Sequence, residues 1–167
     1  MYCLDRKTGA VNWKYDVSRD GGQSFHGNML IDGDWILVGT DIGMVEKGGY
    51  LTGKEIWKVP LPLPEGKNFI INKPPALLGE QLYYGAANGK LYAFASAPGA
   101  KRIIKDFSSP IITPIVAHEG FLYLGTEAGK LYRVNHANGE IAGEFALNGR
   151  PHKTIFAHDE IYFPDNL

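Results

Sequence analysis

Few side chains in this sequence could carry chemistry, and they are scattered. Cys3 is the single cysteine, which excludes an internal disulfide and any multi-cysteine metal site. The five histidines are spread along the chain, and His118 and His158 fall at the same place in a repeated turn. The one short acidic cluster, Asp32-Gly33-Asp34, has the composition of a turn. A hard cation needs several oxygen ligands close together, so the sequence predicts no metal site.

Catalytic and phosphate-binding motifs are also missing. The sequence contains no Gly-x-Ser-x-Gly, no His-Glu-x-x-His and no phosphate-binding loop. Residues 85–90, Gly-Ala-Ala-Asn-Gly-Lys, superficially resemble such a loop, but no helical pattern follows them. They predict a hairpin turn instead. No catalytic residue is therefore predicted.

Length and charge restrict the classes of function. The chain has 167 residues, of which 44% are hydrophobic, so it can bury a core. Its 17 Lys and Arg residues against 18 Asp and Glu residues give a net charge of −1, which offers no electrostatic footprint for nucleic acid. No apolar stretch approaches the ~20 residues that span a bilayer, and the first residues lack the pattern of a signal peptide. We predict no transmembrane segment and no signal sequence within this chain.

The elements that must position these residues follow from an internal repeat of glycines. Gly43, Gly89 and Gly129 are separated by steps of 46 and 40 residues, and each has a glycine four residues before it and another ten residues after it. The segments between these glycines agree as well, as in Gln-Leu-Tyr-Tyr-Gly at 81–85 and Phe-Leu-Tyr-Leu-Gly at 121–125. A period of about 40–45 residues is typical of propeller blades.

Each repeat predicts four short strands. In the best-defined copy they cover residues 111–117, 121–125, 131–135 and 140–145, joined by turns rich in Gly and Asn. Such a meander, repeated around an axis, is a β-propeller blade. We therefore predict an all-β fold, a single β-propeller domain over residues 1–167. It comprises a half-blade at 1–20, full blades at 22–60, 70–107 and 110–148, and a half-blade at 150–167.

The repeats resemble a known family. Residues 8–13, Thr-Gly-Ala-Val-Asn-Trp, and 52–57, Thr-Gly-Lys-Glu-Ile-Trp, are similar to the tryptophan-docking motif of pyrroloquinoline-quinone-type (PQQ-type) propellers, and Leu-Tyr-Ala-Phe at 91–94 resembles their third-strand signature. The resemblance implies that Trp13 and Trp57 lock one blade to the next. By counting from the turn glycines, the matching positions in the later copies are Ile103 and Gly143, where the motif has decayed.

The resemblance implies a fold more firmly than a function. PQQ-type blades occur in quinone-dependent dehydrogenases, in a scaffold for outer-membrane protein assembly and in ligand-sensing domains of kinases. A dehydrogenase of the methanol type would show paired adjacent cysteines, which Cys3 alone cannot supply. We therefore expect a non-catalytic binding or scaffolding module that needs no cofactor, in a periplasmic or other extracytoplasmic compartment. A ligand-sensing domain and a fragment of a PQQ-dependent dehydrogenase are the alternatives.

Polar residues recur where the first strand of each repeat begins. Registered on the glycines, the starting position is occupied by His26, Asn72, Ile112 and His152, and the next by Gly27, Lys73, Thr113 and Lys153; Arg150 precedes His152. Blades present these positions around the central channel. Because Lys73, Lys153 and Arg150 have no evident carboxylate beside them in the sequence, they predict a site for a small anionic ligand or a protein partner. The same residues could instead be solvated strand ends that bind nothing.

The two half-blades are complementary, since the first supplies outer strands and the last supplies inner ones. Three arrangements are compatible with this pattern. The chain could close on itself as four blades, two chains could self-associate through their half-blades, or the chain could be a fragment or open arc of a larger ring. The fragment is the arrangement that we expect.

Overall fold

The computed structural model describes residues 1–16, 29–39, 44–60, 73–95, 101–152, 155–157, 160–162 and 165–166. Within these ranges the protein is all-β, and no helix among them could cross a lipid bilayer. The chain divides into two compact units, Met1–Asn72 and Lys73–Leu167.

The first unit contains a hairpin and a four-stranded sheet. Strands β1 (Tyr2–Leu4) and β2 (Val11–Lys14) form the antiparallel hairpin. The sheet has the order β3-β4-β5-β6, with the bounds β3 (Leu30–Asp32), β4 (Trp35–Gly39), β5 (Met44–Gly49) and β6 (Glu55–Pro60). Every neighbouring pair in this sheet is antiparallel and consecutive in the chain.

The second unit contains two more four-stranded sheets and two short pairs. The first sheet consists of β7 (Ala76–Leu78), β8 (Gln81–Gly85), β9 (Lys90–Ala95) and β10 (Lys101–Asp106). The second consists of β11 (Val116–His118), β12 (Phe121–Thr126), β13 (Lys130–Asn135) and β14 (Ile141–Ala146). Strand β15 (Arg150–Pro151) pairs with β18 (Asp165–Asn166), and β16 (Ile155–Ala157) pairs with β17 (Glu160–Tyr162).

The predicted all-β fold of four-stranded antiparallel meanders is confirmed. Its organisation as a single domain with the blade limits given above stays a prediction. One strand is shorter than predicted: Ile111 makes only an isolated bridge to Thr126, and β11 begins at Val116. Pro110 and Pro114 flank this stretch, and proline cannot donate a ladder hydrogen bond. The inner strand is therefore split into a bridge and a short strand.

The middle strands of the sheets are buried on both faces. In β8 the consecutive residues Leu82, Tyr83 and Tyr84 are all at most 2% exposed. In β4 the consecutive residues Ile36, Leu37 and Val38 are at most 8% exposed. A strand with one face in water would bury only every second residue. Consecutive burial is typical of the middle strands of propeller blades.

Candidate functional site

Two first strands in the second unit begin with a residue that packs directly on a glycine of the preceding sheet. A Cβ atom on Gly85 would lie 2.4 Å from Cγ2 of Ile111, and one on Gly125 would lie 2.5 Å from Cγ of Pro151. Only glycine leaves room for these contacts. Ile111 and Pro151 directly precede the predicted channel positions Ile112 and His152, so this packing determines where the channel positions lie.

One of the predicted channel residues has a structural role instead. Thr113 is 1% exposed, and its Oγ1 accepts a hydrogen bond of 2.7 Å from the backbone nitrogen of Gly125. The backbone nitrogen of Ile112 donates to the carbonyl of Gly125 at 3.0 Å. The register of the glycines places Thr113 correctly, but its hydroxyl is already used inside the sheet. It does not contribute to a ligand site.

The expectation that Arg150 lacks a carboxylate partner is wrong. Its guanidinium forms an ion pair with Glu127, which lies in the turn between β12 and β13. The two residues are 23 positions apart, and the fold brings them together because β15 runs beside β12. Both side chains are substantially exposed, so the pair contributes at most about 1 kcal/mol to stability. It does, however, satisfy much of the charge that was expected to attract an anion.

The other predicted binding residues are only partly described. Lys73 is half-buried and is separated from β7 by Pro74 and Pro75, and His152 is exposed just after β15. Lys73 has no ion-pair partner among the described residues. His26, Asn72 and Lys153 lie outside the described residues. The proposed ring is therefore represented in the described part of the chain by Lys73, Arg150 and His152.

Trp13 contacts the turn between β5 and β6 in the first unit. Its Nε1 donates a hydrogen bond of 2.8 Å to the carbonyl of Tyr50, and a Cβ atom on Gly53 would lie 2.6 Å from two atoms of the indole ring. Trp13 is half-buried, and near it the hydroxyl of Tyr15 donates to Glu55 at 2.6 Å. This geometry suits the docking role that the sequence motif implies.

The ring of Trp13 also lines a small open apolar cleft of about 20 Å³, together with Ile36 and Val38. Ligand pockets usually enclose ~300–1,000 Å³, so this cleft is much smaller than a ligand pocket. Trp57 lies opposite Lys47 in the β5–β6 pair, and its side chain lies outside the described part of the structure.

Arg102, and not Ile103, occupies the docking position of the sheet β7–β10. Trp13 lies opposite Cys3, and Arg102 lies opposite the corresponding residue of β9, Ala93. The assignment of Ile103 is wrong because the extra residue of the β-bulge lies at Ile104 in this pair, two positions later than in the other copies. Counting from the turn glycine cannot detect a displaced bulge.

Arg102 performs the same contact as Trp13 with different chemistry. Its Nη1 donates to the carbonyl of Ala137, in the turn between β13 and β14, at 3.2 Å. The carbonyl oxygen of Ile104 packs against Gly139 in the same turn. A Cβ atom on Gly139 would lie 2.3 Å from this oxygen. Ile103, by contrast, is 51% exposed. The sequence contained no motif for this contact, because arginine replaces the tryptophan.

A small polar network accompanies this contact. The hydroxyl of Tyr83 donates to Oε1 of Gln81 at 2.8 Å and lies 2.9 Å from Nδ1 of His136 in the next sheet. Arg102 also reaches Oε1 of Gln81 at 3.4 Å. Burial raises the pKa of Tyr83, and the positive charge of Arg102 opposes that rise. The network joins two sheets, and it engages the hydroxyl of Tyr83, Oε1 of Gln81 and the guanidinium of Arg102 in structural hydrogen bonds.

Within the described residues, no three His, Cys, Asp or Glu side chains come together in a way that could hold a metal ion. The charged side chains form exposed pairs instead, such as Lys130 with Glu144 at 2.5 Å and Lys14 with Asp16 at 3.4 Å. The arrangement of the described residues therefore offers packing surfaces and strand edges for contact with other molecules.

Comparison with known proteins agrees with this architecture. The chain matches the family described as "Outer membrane protein assembly factor BamB" over residues 1–143. A relative named outer membrane protein assembly factor BamB, from Moranella endobia (strain PCIT), is 25% identical over 138 residues, covering 77% of this chain and 35% of the relative. The chain thus spans about a third of the length of that relative.

Solved structures show the same fold. BamB from Moraxella catarrhalis matches with a TM-score of 0.61 at 17% identity, covering 98% of this chain and 60% of that one. The computationally designed protein Ika4 matches with a TM-score of 0.71 at 10% identity, covering 85% of each chain. Glycine-seated first strands, antiparallel four-stranded sheets and the match over residues 1–143 together show that the chain belongs to the PQQ-like β-propeller repeat family of the outer membrane protein assembly factor BamB.

Proposed function

We propose that this protein is a non-catalytic scaffold that binds other proteins during outer membrane protein assembly. The observation that carries the proposal is the family match over residues 1–143, together with a relative named as an outer membrane protein assembly factor. The protein would act outside the cytoplasm, in the periplasm, where an outer membrane protein must pass before insertion. No cofactor is required for such a role.

The described side chains support binding over catalysis. Thr113, Arg150 and Tyr83, which lie at strand starts and sheet contacts, are each engaged in a structural hydrogen bond or ion pair. Large apolar side chains are exposed in the first unit, among them Ile31 at 63% and Leu51 at 68%. Where such side chains form a contiguous patch, they commonly mark a contact between proteins.

We further propose that the starts of the first strands contribute to partner or ligand contact. The residues concerned are His26, Asn72, Lys73, Arg150, His152 and Lys153. Because Arg150 is paired with Glu127, Lys73 and Lys153 would supply most of the free positive charge. Contacts made by these lysines would favour an anionic or acceptor-rich surface on the partner and would weaken with salt.

Complementation tests the scaffold function. The protein is exported to the periplasm of a bacterium that lacks its own BamB, and the amounts of folded outer-membrane barrels are measured. We expect the barrels to recover toward the level of the undeleted strain. Co-purification of the same assembly partners should accompany the recovery; recovery without any bound partner would overturn the scaffold mechanism.

A matched pair of variants tests the lysines in the same assay. Lys73→Ala combined with Lys153→Ala removes the proposed contacts, whereas Lys7→Ala combined with Lys54→Ala removes the same charge from exposed turns. We expect only the first pair to lower partner recovery. Equal recovery with both pairs would mean that the strand starts bind nothing. Dye reduction with added quinone, Ca²⁺ and an alcohol should stay at background; turnover would contradict the non-catalytic proposal.

A further inference from the structure

We propose that Asn148 is a modification site, at which the side-chain amide is converted spontaneously into an aspartate or isoaspartate residue. The site lies in the loop that joins β14 to β15. The reaction partner is water, and no enzyme or cofactor is needed. The inference goes beyond the scaffold function and does not depend on it, so either can fail without the other.

The chemistry of this deamidation sets what the site must provide. The backbone nitrogen of the next residue attacks Cγ of the asparagine and forms a C–N bond that closes a cyclic imide. The proton of that nitrogen passes through water to the side-chain nitrogen, which leaves as ammonia. Water then opens the imide at one of its two carbonyl carbons, giving aspartate or isoaspartate. Glycine is the most favourable next residue, because it has no Cβ atom beside the attacking nitrogen.

The sequence contains three asparagines that are followed by glycine, at Asn88, Asn138 and Asn148. The first lies in the turn between β8 and β9, the second in the turn between β13 and β14, and the third in the loop before β15. Since glycine follows each of them, the sequence gives all three the same reactive pair. Their surroundings in the folded chain distinguish them.

The turn between β13 and β14 restrains both reacting groups of Asn138. Its Nδ2 donates to Oε2 of Glu140 at 2.8 Å, and its Oδ1 accepts from the backbone nitrogen of Glu140 at 3.0 Å. The attacking nitrogen, that of Gly139, donates to the carbonyl of Asn135 at 2.9 Å. Closing the imide would break the hydrogen bonds of both nitrogens, which slows the reaction.

The turn between β8 and β9 restrains Asn88 in the same way. Its Nδ2 donates to the hydroxyl of Tyr92 at 2.7 Å, and its Oδ1 accepts from the backbone nitrogen of Lys90 at 3.1 Å. The nitrogen of Gly89 donates to the carbonyl of Ala86 at 3.0 Å. Gly89 is also buried, so the attacking nitrogen has little room to move.

Asn148 has neither restraint. Its side chain is exposed, and within the described ranges neither its amide nor the nitrogen of Gly149 makes a hydrogen bond. The chain is held on both sides of this pair, because the nitrogen of Leu147 donates to the carbonyl of Gly129 at 2.8 Å and β15 begins at Arg150. The reactive pair thus lies in a short exposed link whose two reacting groups meet water.

Conversion at this position should disturb the start of β15. In isoaspartate the main chain runs through the former side chain, which adds one carbon atom to the backbone. Pro151 follows closely and packs on Gly125, where a Cβ atom would lie 2.5 Å from Cγ of the proline. The new carboxylate also lies near Arg150 in the sequence, whose guanidinium is paired with Glu127. A longer backbone ahead of these contacts should lower the stability of the protein.

The test follows the three asparagines in folded protein kept in mildly alkaline buffer, with peptide mass spectrometry to identify each converted residue. We expect Asn148 to convert at least about tenfold faster than Asn88 and Asn138, because hydrogen bonds must break first at those two sites. In protein unfolded by urea, all three should convert at similar rates. Equal rates in the folded protein would overturn the proposal, and so would the same selectivity in urea.

Matched variants test the consequence for β15. Asn148→Gln removes the proposed site, and Asn138→Gln makes the same change at a restrained one. We expect the melting temperature of the parent and of Asn138→Gln to fall during incubation in step with conversion at Asn148, whereas that of Asn148→Gln should stay constant. An equal fall in all three proteins would show that conversion at Asn148 does not disturb β15.

Discussion

At the scale of single residues, the core contains a buried hydroxyl with a hydrogen-bond partner and one without a described partner. Thr113 is enclosed, and its hydroxyl accepts a hydrogen bond from Gly125. Tyr84 is equally enclosed, at 1% exposure, and its hydroxyl has no hydrogen-bond partner among the described residues. Its ring meets Phe94 edge-to-face at 6.0 Å between centroids, so the aromatic part of the side chain is well packed. The hydroxyl of Tyr84 is therefore a local source of instability.

Tyr84→Phe should stabilise the protein. The substitution removes a buried hydroxyl without a described partner and keeps the ring, so we expect the free energy of unfolding to rise by about 1 kcal/mol. Urea denaturation at neutral pH measures the change. Tyr83→Phe is the control, because the hydroxyl of Tyr83 bonds Gln81 and His136. Tyr83→Phe should lower the free energy of unfolding by about the same amount. If Tyr84→Phe also lowered it, the hydroxyl of Tyr84 would not be a source of instability.

At the scale of elements, the last strand of one sheet or hairpin contacts the last turn of the next sheet. Trp13 donates to Tyr50 and covers Gly53, while Arg102 donates to Ala137 and Ile104 covers Gly139. The donor differs between the copies, but the acceptor in each case is a turn carbonyl close to a glycine with positive φ, 63° at Gly53 and 75° at Gly139. The two contacts thus share the conformation of the accepting turn, whereas the donating side chain differs.

Gly139→Ala should be much more damaging than alanine at a glycine of similar conformation. Gly79 has a φ of 61° and no atom within 4 Å of the position that a Cβ would take, so its replacement carries only the backbone strain, about 1 kcal/mol. At Gly139 the new Cβ would lie 2.3 Å from a backbone oxygen. Displacing that strand should add about 1–3 kcal/mol. Thermal denaturation of both variants measures the difference, and equal destabilisation would show that the turn is not held by β10.

At the scale of the whole molecule, the tyrosines whose pKa is raised by burial lie in one of the two compact units. Tyrosines with raised pKa values are concentrated in the unit Lys73–Leu167, where desolvation by burial is the largest cause for Tyr83, Tyr84, Tyr92 and Tyr132. A tyrosine whose pKa is higher in the folded state than in the unfolded state binds its proton more tightly when folded. Its contribution to stability is complete below the unfolded value of ~10 and is lost as the pH rises beyond it.

The protein should therefore lose stability in alkaline solution. We expect the free energy of unfolding to be insensitive to these tyrosines below pH ~9 and to fall steadily above pH ~10, because the unfolded chain releases phenolic protons that the folded protein retains. Urea titrations across this range, with tyrosinate absorbance as the second signal, measure both quantities. A Tyr84→Phe variant should lose stability less steeply, and unchanged stability up to pH ~11 would contradict the raised pKa values.

The sequence was sufficient to predict the sheets because the relevant signals are local. Glycines at fixed intervals and the repeated apolar segments between them determine turns and strands within a few positions, and the four-stranded sheets appear as expected. The bulge at Ile104 could not be predicted, since it changes the register without changing the spacing of the glycines. The pairing of Arg150 with Glu127 depends on two strands that lie side by side only in the folded chain. Contacts of that kind decide which polar residues remain available for binding.

The packing of Ile111 on Gly85 and of Pro151 on Gly125 has a consequence for chimeras that exchange blades. Gly85 and Gly125 each leave a hollow that is filled by the residue opening the following blade, isoleucine in one case and proline in the other. A blade therefore cannot be exchanged by cutting the chain in the loops between blades, because this separates each glycine from the residue that packs on it. A chimera should keep Gly85 with Ile111 and Gly125 with Pro151. The best splice sites are therefore the hairpin turns inside a blade.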